Sequence, residues 1–350
     1  MRKINTILLI FITTLIALSS CDNDIEALDI VKPYEKSSEY YANLRAYKER
    51  DDHEVFFGWF GGWSANSTDM IRYLESIPDS VDIVSIWSKS PGFDDNLKKD
   101  LRRLQEVKGT RVTFTIFAHK IPEEFMVSEK EVNPEGIEAY AKALVDTMNY
   151  YGYQGIDLDY EPGYLEHAGV PFNGPLVGPS YMWPDYMDNM EIFVKALGKF
   201  IGPKSGTRNL LLIDGVPHHL KEGLAEYFNY GIVQSYRSGS YSDLQSRFDS
   251  AARKGWKPEQ YIFTETFEGE RYKNGGVPHL MRNGETVPSL EGMARFKPMY
   301  NGELAKRKGG CGTYHMETDY NTKPENYKYT RNAIMWMNKK ENQNTEDHEK

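Results

Sequence analysis

Eight short runs rich in β-branched and aromatic residues recur along this 350-residue chain, and stretches with helical periodicity separate most of them. The first four read "EVFFGWF" (54–60), "VDIVSIW" (81–87), "RVTFTIFA" (111–118) and "GIDLDYE" (155–161). The second four are "LLLIDGV" (210–216), "YGIVQSY" (230–236), "QYIFTETF" (260–267) and "GCGTYHME" (310–317). Helical patterns fall at 69–77, 94–107, 134–150, 186–200, 244–254 and 327–338. A strand followed by a helix and a parallel strand is the βα unit, and eight such units close into a barrel. The expected fold is therefore α/β, a single (β/α)₈ TIM barrel over 53–338. A doubly wound open sheet is the alternative. It calls for a glycine-rich phosphate turn after an early strand, and "FGGWSAN" lacks that pattern.

The ends of the chain stand apart from this repeat. Arg2 and Lys3 precede a dozen mostly apolar residues, 7–18, too few to span a bilayer as a helix. Leu18-Ser19-Ser20-Cys21 follows and resembles a bacterial lipoprotein cleavage box. The expectation is a signal peptide over 1–20, lipid on Cys21, and a tether with a leading helix over 21–52. Several acyl chains on one cysteine hold a protein firmly to a membrane. The acidic Asp22-Asn23-Asp24 resembles an export signal of surface lipoproteins, which places the protein outside the cytoplasm, on the outer membrane and surface-exposed. The charged tail over 339–350 is expected to be disordered. Cys311 is then the one cysteine of the mature chain, so no internal disulfide forms, and its glycine-rich, apolar context reads as a buried small residue. A formal net charge of −9 without basic runs argues against nucleic acid and favours uncharged partners.

The fourth run is unusual. Asp157, Asp159 and Glu161 alternate with Ile156, Leu158 and Tyr160, so in a strand the three carboxyls share one face, roughly 6–7 Å apart. Strands of a parallel barrel are buried on both faces and normally read as continuous apolar runs. Three carboxyls turned inward would resist full ionisation. Calcium does not account for them. As positions 1, 3 and 5 of an EF-hand loop they would need Gly at position 6 and Glu at 12, where Pro162 and Ala168 stand. A metal shared with histidines does not fit either, because His218 and His219 lie at another strand's end. Proton chemistry remains: neighbouring carboxyls push their pKa values apart, and one stays protonated as a general acid. Glu161, at the strand's C-terminal lip, has access to a substrate.

The stretch Gln154-Gly155-Ile156-Asp157-Leu158-Asp159-Tyr160-Glu161 resembles the fourth-strand signature D-G-x-D-x-D-x-E of glycoside hydrolase family 18, the chitinases and endo-β-N-acetylglucosaminidases. It departs only at Gln154. The resemblance implies substrate-assisted, retaining hydrolysis with no cofactor and no metal, an exception to the two-carboxylate scheme. Glu161 would protonate the glycosidic oxygen and later activate water. The substrate's own 2-acetamido oxygen would attack, with Asp159 stabilising the charged intermediate and Asp157 modulating Asp159. A second match lies in "GIVQSYR", where Tyr236 stands at the tyrosine that binds the acetamido carbonyl. Gln234, two residues earlier, is the choice common among N-glycan endoglycosidases, whereas chitinases carry Met. Thr115-Ile116-Phe117-Ala118 departs from the S-x-G-G of many chitinases, and "GTYHMET" offers Tyr314 or Met316 where they place Trp.

The implied substrate is the chitobiose core of an N-glycan. A chitin oligosaccharide and a non-catalytic glycan-binding role on the same barrel are the alternatives. Candidate sugar contacts are Trp59, Trp87, Tyr314 and Glu317 near strand ends, and Tyr164 and Trp183 in the long connection over 162–185.

Overall fold

The computed structural model describes residues 36–87, 93–118, 121–128, 132–162 and 183–339, with the side chains of 183–187 left out. Cys21, Tyr164, the leader, most of the connection over 162–185 and almost all of the charged tail therefore lie outside the described residues, as does the side chain of Trp183. The chain divides into two compact units, 1–40 and 41–350. In the smaller one, the described residues open helix α1 (Ser38–Lys48), where Tyr40 N donates to Ser37 Oγ at 3.1 Å. In the larger, Lys48 Nζ donates to Val81 O (2.6 Å) and Thr110 Oγ1 (2.8 Å), just ahead of two barrel strands.

Eight parallel strands form a closed barrel: β1 (Val55–Gly61), β2 (Ile83–Trp87), β3 (Arg111–Phe117), β4 (Gly155–Tyr160), β5 (Leu210–Gly215), β6 (Tyr230–Gln234), β7 (Tyr261–Thr266) and β8 (Gly310–Tyr314). Each pairs with its neighbours in sequence, and β8 pairs with β1. The expected (β/α)₈ barrel is thus the observed fold. Alternation along the strands sorts the apolar residues into two cores. Val55, Phe57, Ile83, Leu210, Leu212, Ile232 and Ile262 fill the interior. Phe56, Phe60, Val84, Ile156, Leu158, Leu211, Ile213 and Phe263 belong to the larger core beneath the helices. Cys311 is buried in that outer layer, and burial pushes its thiol up to about 12, which leaves it inert near neutral pH.

The glycine of the fourth-strand motif has a packing cause. A Cβ on Gly155 would lie 2.5 Å from Leu210 O and 2.9 Å from Thr113 Cγ2, so only glycine lets β4 sit this close to its neighbours. Gln154, the departure from the motif, serves the backbone: its Oε1 accepts from Val112 N at 3.2 Å.

Helices α2 (Asp95–Arg102), α3 (Pro134–Tyr151), α4 (Trp183–Leu197), α5 (Tyr241–Ala252), α6 (Ser289–Arg295) and α7 (Lys328–Met337) lie between or after the barrel strands in sequence. Helix α3 has the local signals of a helix at both ends. Asn133 Oδ1 caps Gly136 N at 2.8 Å, Pro134 occupies the first turn, and Gly152 ends it with φ 78°.

The stretch 69–77 does not form the expected helix. Two 3₁₀ turns, Met70–Arg72 and Leu74–Ser76, flank an extended Tyr73. The buried Asp100 carboxylate accepts Leu74 N at 2.8 Å and Glu75 N at 3.0 Å, taking the donors a helix would have used. Pro78 then holds Ile77 extended. Strand β8 stops at Tyr314, short of the expected 317, because His315 adopts φ 56° and starts a 3₁₀ turn. The connection over 267–296 contains a small hairpin (Pro278–Leu280 with Thr286–Pro288) and α6.

Candidate active site

The parity that sends Ile156 and Leu158 outward turns Asp157 and Asp159 into the barrel. Register then fixes their neighbours: Thr115 pairs with Asp157 and Phe117 with Asp159 on β3, Leu212 with Asp157 and Asp214 with Asp159 on β5. Asp157 lies deepest and is fully buried. Its Oδ2 accepts from Trp59 Nε1 (2.9 Å) and Thr115 Oγ1 (3.1 Å), and Ser85 Oγ completes the chain at 2.7 Å from Thr115. Burial raises Asp157 to about 6 in spite of these donors.

One level higher, burial holds the Asp159 carboxyl well above the usual range, reinforced by the charges of Glu161 and Asp157. Asp214 is raised for the same reason, burial first and then the like charge of Asp159. Glu161 stands above them, raised mainly by burial, with Gln234 and Asp159 within hydrogen-bonding reach. Gln234 Nε2 donates to Asp214 Oδ1 at 2.9 Å. Burial also raises the Tyr236 phenol, which keeps its proton and serves as a donor.

These groups surround a cavity of about 260 Å³ lined by Trp59, Trp87, Phe117, Asp159, Glu161, Asp214, Gln234, Tyr236, Glu268 and Tyr314. One side is acidic and the other aromatic. Trp87 packs edge-on against Phe117 (5.3 Å between ring centroids) and Tyr314 (5.6 Å), and Tyr314 stacks on Tyr236 at 6.0 Å. Flat rings beside hydrogen-bonding carboxyls and an amide suit a sugar, which presents C–H faces and polar edges.

The sequence candidates divide accordingly. Asp159, Glu161, Gln234, Tyr236, Trp59, Trp87 and Tyr314 line the cavity, and Asp157 supports it from below. Glu317 is not among the lining residues. Its Oε2 accepts from Gly61 N (3.0 Å) and its Oε1 meets His315 Nδ1 (2.7 Å), so it ties the ends of β1 and β8 together. Sequence reasoning overlooked Phe117, Asp214 and Glu268. Inward parity in "LLLIDGV" was an available signal for Asp214, and the step of two from Thr115 was one for Phe117.

Asp159, Glu161 and Asp214 each place a carboxylate oxygen within 4.8 Å of the others, an oxygen set that could meet a hard cation. However, Gln234 directs an N–H and not an oxygen at Asp214.

Known proteins share this fold. The family model for glycoside hydrolase family 18, BT1044-like, matches residues 23–336. Endo-beta-N-acetylglucosaminidase F2 from Elizabethkingia meningoseptica is 24% identical over 324 residues, 85% of each chain. A solved structure of a selenomethionine-labelled glutamate-to-glutamine variant of BT1044 is similar with a TM-score of 0.72 and 28% identity, over 86% of this chain and 93% of that one. The apo endo-beta-N-acetylglucosaminidase of Cordyceps militaris shares the fold, with a TM-score of 0.62 and 20% identity over 87% of this chain and 97% of that one.

Proposed function

Because this chain belongs to glycoside hydrolase family 18, BT1044-like, we propose that its cavity hydrolyses the β-1,4 bond within the chitobiose core of N-glycans, with retention and with the substrate's acetamido group as nucleophile. The observation that carries this reading is the meeting of Asp159, Glu161, Gln234 and Tyr236 around one aromatic-walled cavity. Glu161, whose carboxyl burial pushes above the usual range, gives its proton to the leaving oxygen. The acetamido carbonyl oxygen, oriented by the Tyr236 phenol, closes on the anomeric carbon to form an oxazolinium ion. Asp159 accepts the acetamido N–H and stabilises the positive charge that develops. Glu161, now a carboxylate, takes a proton from water, which opens the ring with overall retention and restores the acid.

Gln234 favours the N-glycan reading over chitin, since an amide beside Tyr236 offers a hydrogen bond to the acetamido group or the attacking water. Direct competition between a high-mannose glycoprotein and chitotetraose or chitopentaose tests this. Preferential cleavage of the glycoprotein, unaffected by a chelator, is the expected result. Preference for the chitin oligosaccharides would overturn the substrate assignment.

The proposal extends to location. Lipid on Cys21 would hold the enzyme on the outer membrane, facing outward, where extracellular glycoproteins are within reach. Among the described residues no helix is long and apolar enough to cross a membrane. Cys21→Ala is expected to move the protein from the membrane pellet to the soluble fraction. Retention in the pellet would contradict the anchor.

A further inference from the structure

Asp214 belongs to neither the fourth-strand motif nor the Gln234–Tyr236 pair, yet it is 1% exposed and stands beside Asp159 in register. Its place is built into the strand ends. Gly215 follows it with φ 89°, and a Cβ there would lie 2.4 Å from Tyr160 O, so this glycine lets β5 press against β4 at the level of the two carboxyls. On one side Gln234 Nε2 donates to Asp214 Oδ1. On the other, three buried oxygens, Asp214 Oδ2, Asp159 Oδ1 and Asp157 Oδ1, have no N–H or hydroxyl donor. Asp214 is within hydrogen-bonding reach of both of the other two carboxyls. Buried acceptors without a donor are costly. The donor that can satisfy them is an acid proton on one of the carboxyls themselves.

The groups facing Asp214 are Asp157 and Asp159 from β4, Glu161 just past its end, Gln234 from β6 and Tyr236 just past its end, with Glu268 at the rim. No lysine, arginine or histidine lines the cavity among the described residues. A proton is therefore needed to hold the cluster together. Asp214 is the right carrier, because its Oδ1 is already satisfied as an acceptor, its Oδ2 is free to carry hydrogen, and it reaches both Asp157 and Asp159.

We propose that Asp214 is a positioning residue that remains protonated through the reaction and donates from Oδ2 to Asp159, holding Asp159 as an oriented anion against the acetamido group. This rests on the hydrolytic reading above. Glu161 alone exchanges protons with substrate and water, so the Asp214 proton is neither consumed nor released in a turnover.

The test compares D214N with D214L, assayed on whichever N-acetylglucosamine-containing substrate the wild type cleaves. Asn keeps both bonds, with Nδ2 donating to Asp159 and Oδ1 accepting from Gln234; Leu removes both at similar volume. D214N is expected to keep kcat within about tenfold of wild type. D214L should lose about 10- to 100-fold more, the scale of a hydrogen bond to a charged group, with KM little changed. Equal activity of the two variants, whether both high or both low, overturns the proposal, as does a wild type inactivated by a chelator. A second readout needs no substrate and separates this claim from the substrate assignment. The wild-type minus D214N infrared difference spectrum at pH 7 should contain a protonated-carboxyl band, and an ionised-carboxylate band there would overturn it.

Discussion

Replacing Glu161 by Gln is expected to lower kcat on a glycoprotein substrate by about 10²- to 10⁴-fold, the scale of a lost general acid, while glycan binding persists. The amide keeps the volume and can still bond Gln234, but it has no proton to give to the leaving oxygen. Folding should not suffer, because burial favours a neutral side chain at this position and Gln is neutral at the same volume. The same burial sets the pH dependence. An acid with a raised pKa remains a donor to higher pH than an ordinary glutamate, so kcat falls as pH rises through that raised value. In Glu161→Gln the residual rate should lose this alkaline limb. Wild-type turnover by the variant would remove Glu161 from the mechanism.

Asp159→Asn is expected to cost about 10²- to 10³-fold in kcat, since it takes away an anion placed where positive charge develops. Its loss should fall on the acetamido step. Two comparisons isolate that step. Wild-type enzyme should not turn over a matched substrate that lacks the 2-acetamido group, and a thiazoline that imitates the cyclised intermediate should bind Asp159→Asn far more weakly than wild type. Turnover of the acetamido-free substrate, or a glycosyl group trapped on any carboxylate, would contradict substrate assistance.

Much of this architecture is legible in the sequence, for reasons that particular residues make plain. Asp157, Asp159 and Glu161 stand out because strand periodicity is two, and three acids in phase cannot be explained by an apolar interior. Helix α3 is equally legible, since Asn133, Pro134 and Gly152 mark its ends locally. Asp214 is not. A lone acid closing an apolar run looks like the cap of a following turn, and its meaning comes from the pairing of β5 with β4, a long-range fact. The stretch 69–77 was misread for a related reason. Its helical pattern is real, but the Asp100 carboxylate, 25 residues beyond Glu75, takes its backbone donors. Glu317 sits at a strand end in sequence, where sugar contacts are expected, yet the left-handed turn at His315 swings it under Gly61. Contacts made across the barrel decide such cases, and local patterns do not encode them.

Hydrolysis as proposed cuts between the two core N-acetylglucosamines of an Asn-linked glycan. Mass spectrometry of a glycopeptide after digestion reads that bond directly. Wild-type enzyme should leave each asparagine carrying a single N-acetylglucosamine and free the remainder of the glycan, and Glu161→Gln should leave the glycopeptide intact. A glycopeptide unchanged by the wild type, or one stripped to bare asparagine or aspartate, would contradict it.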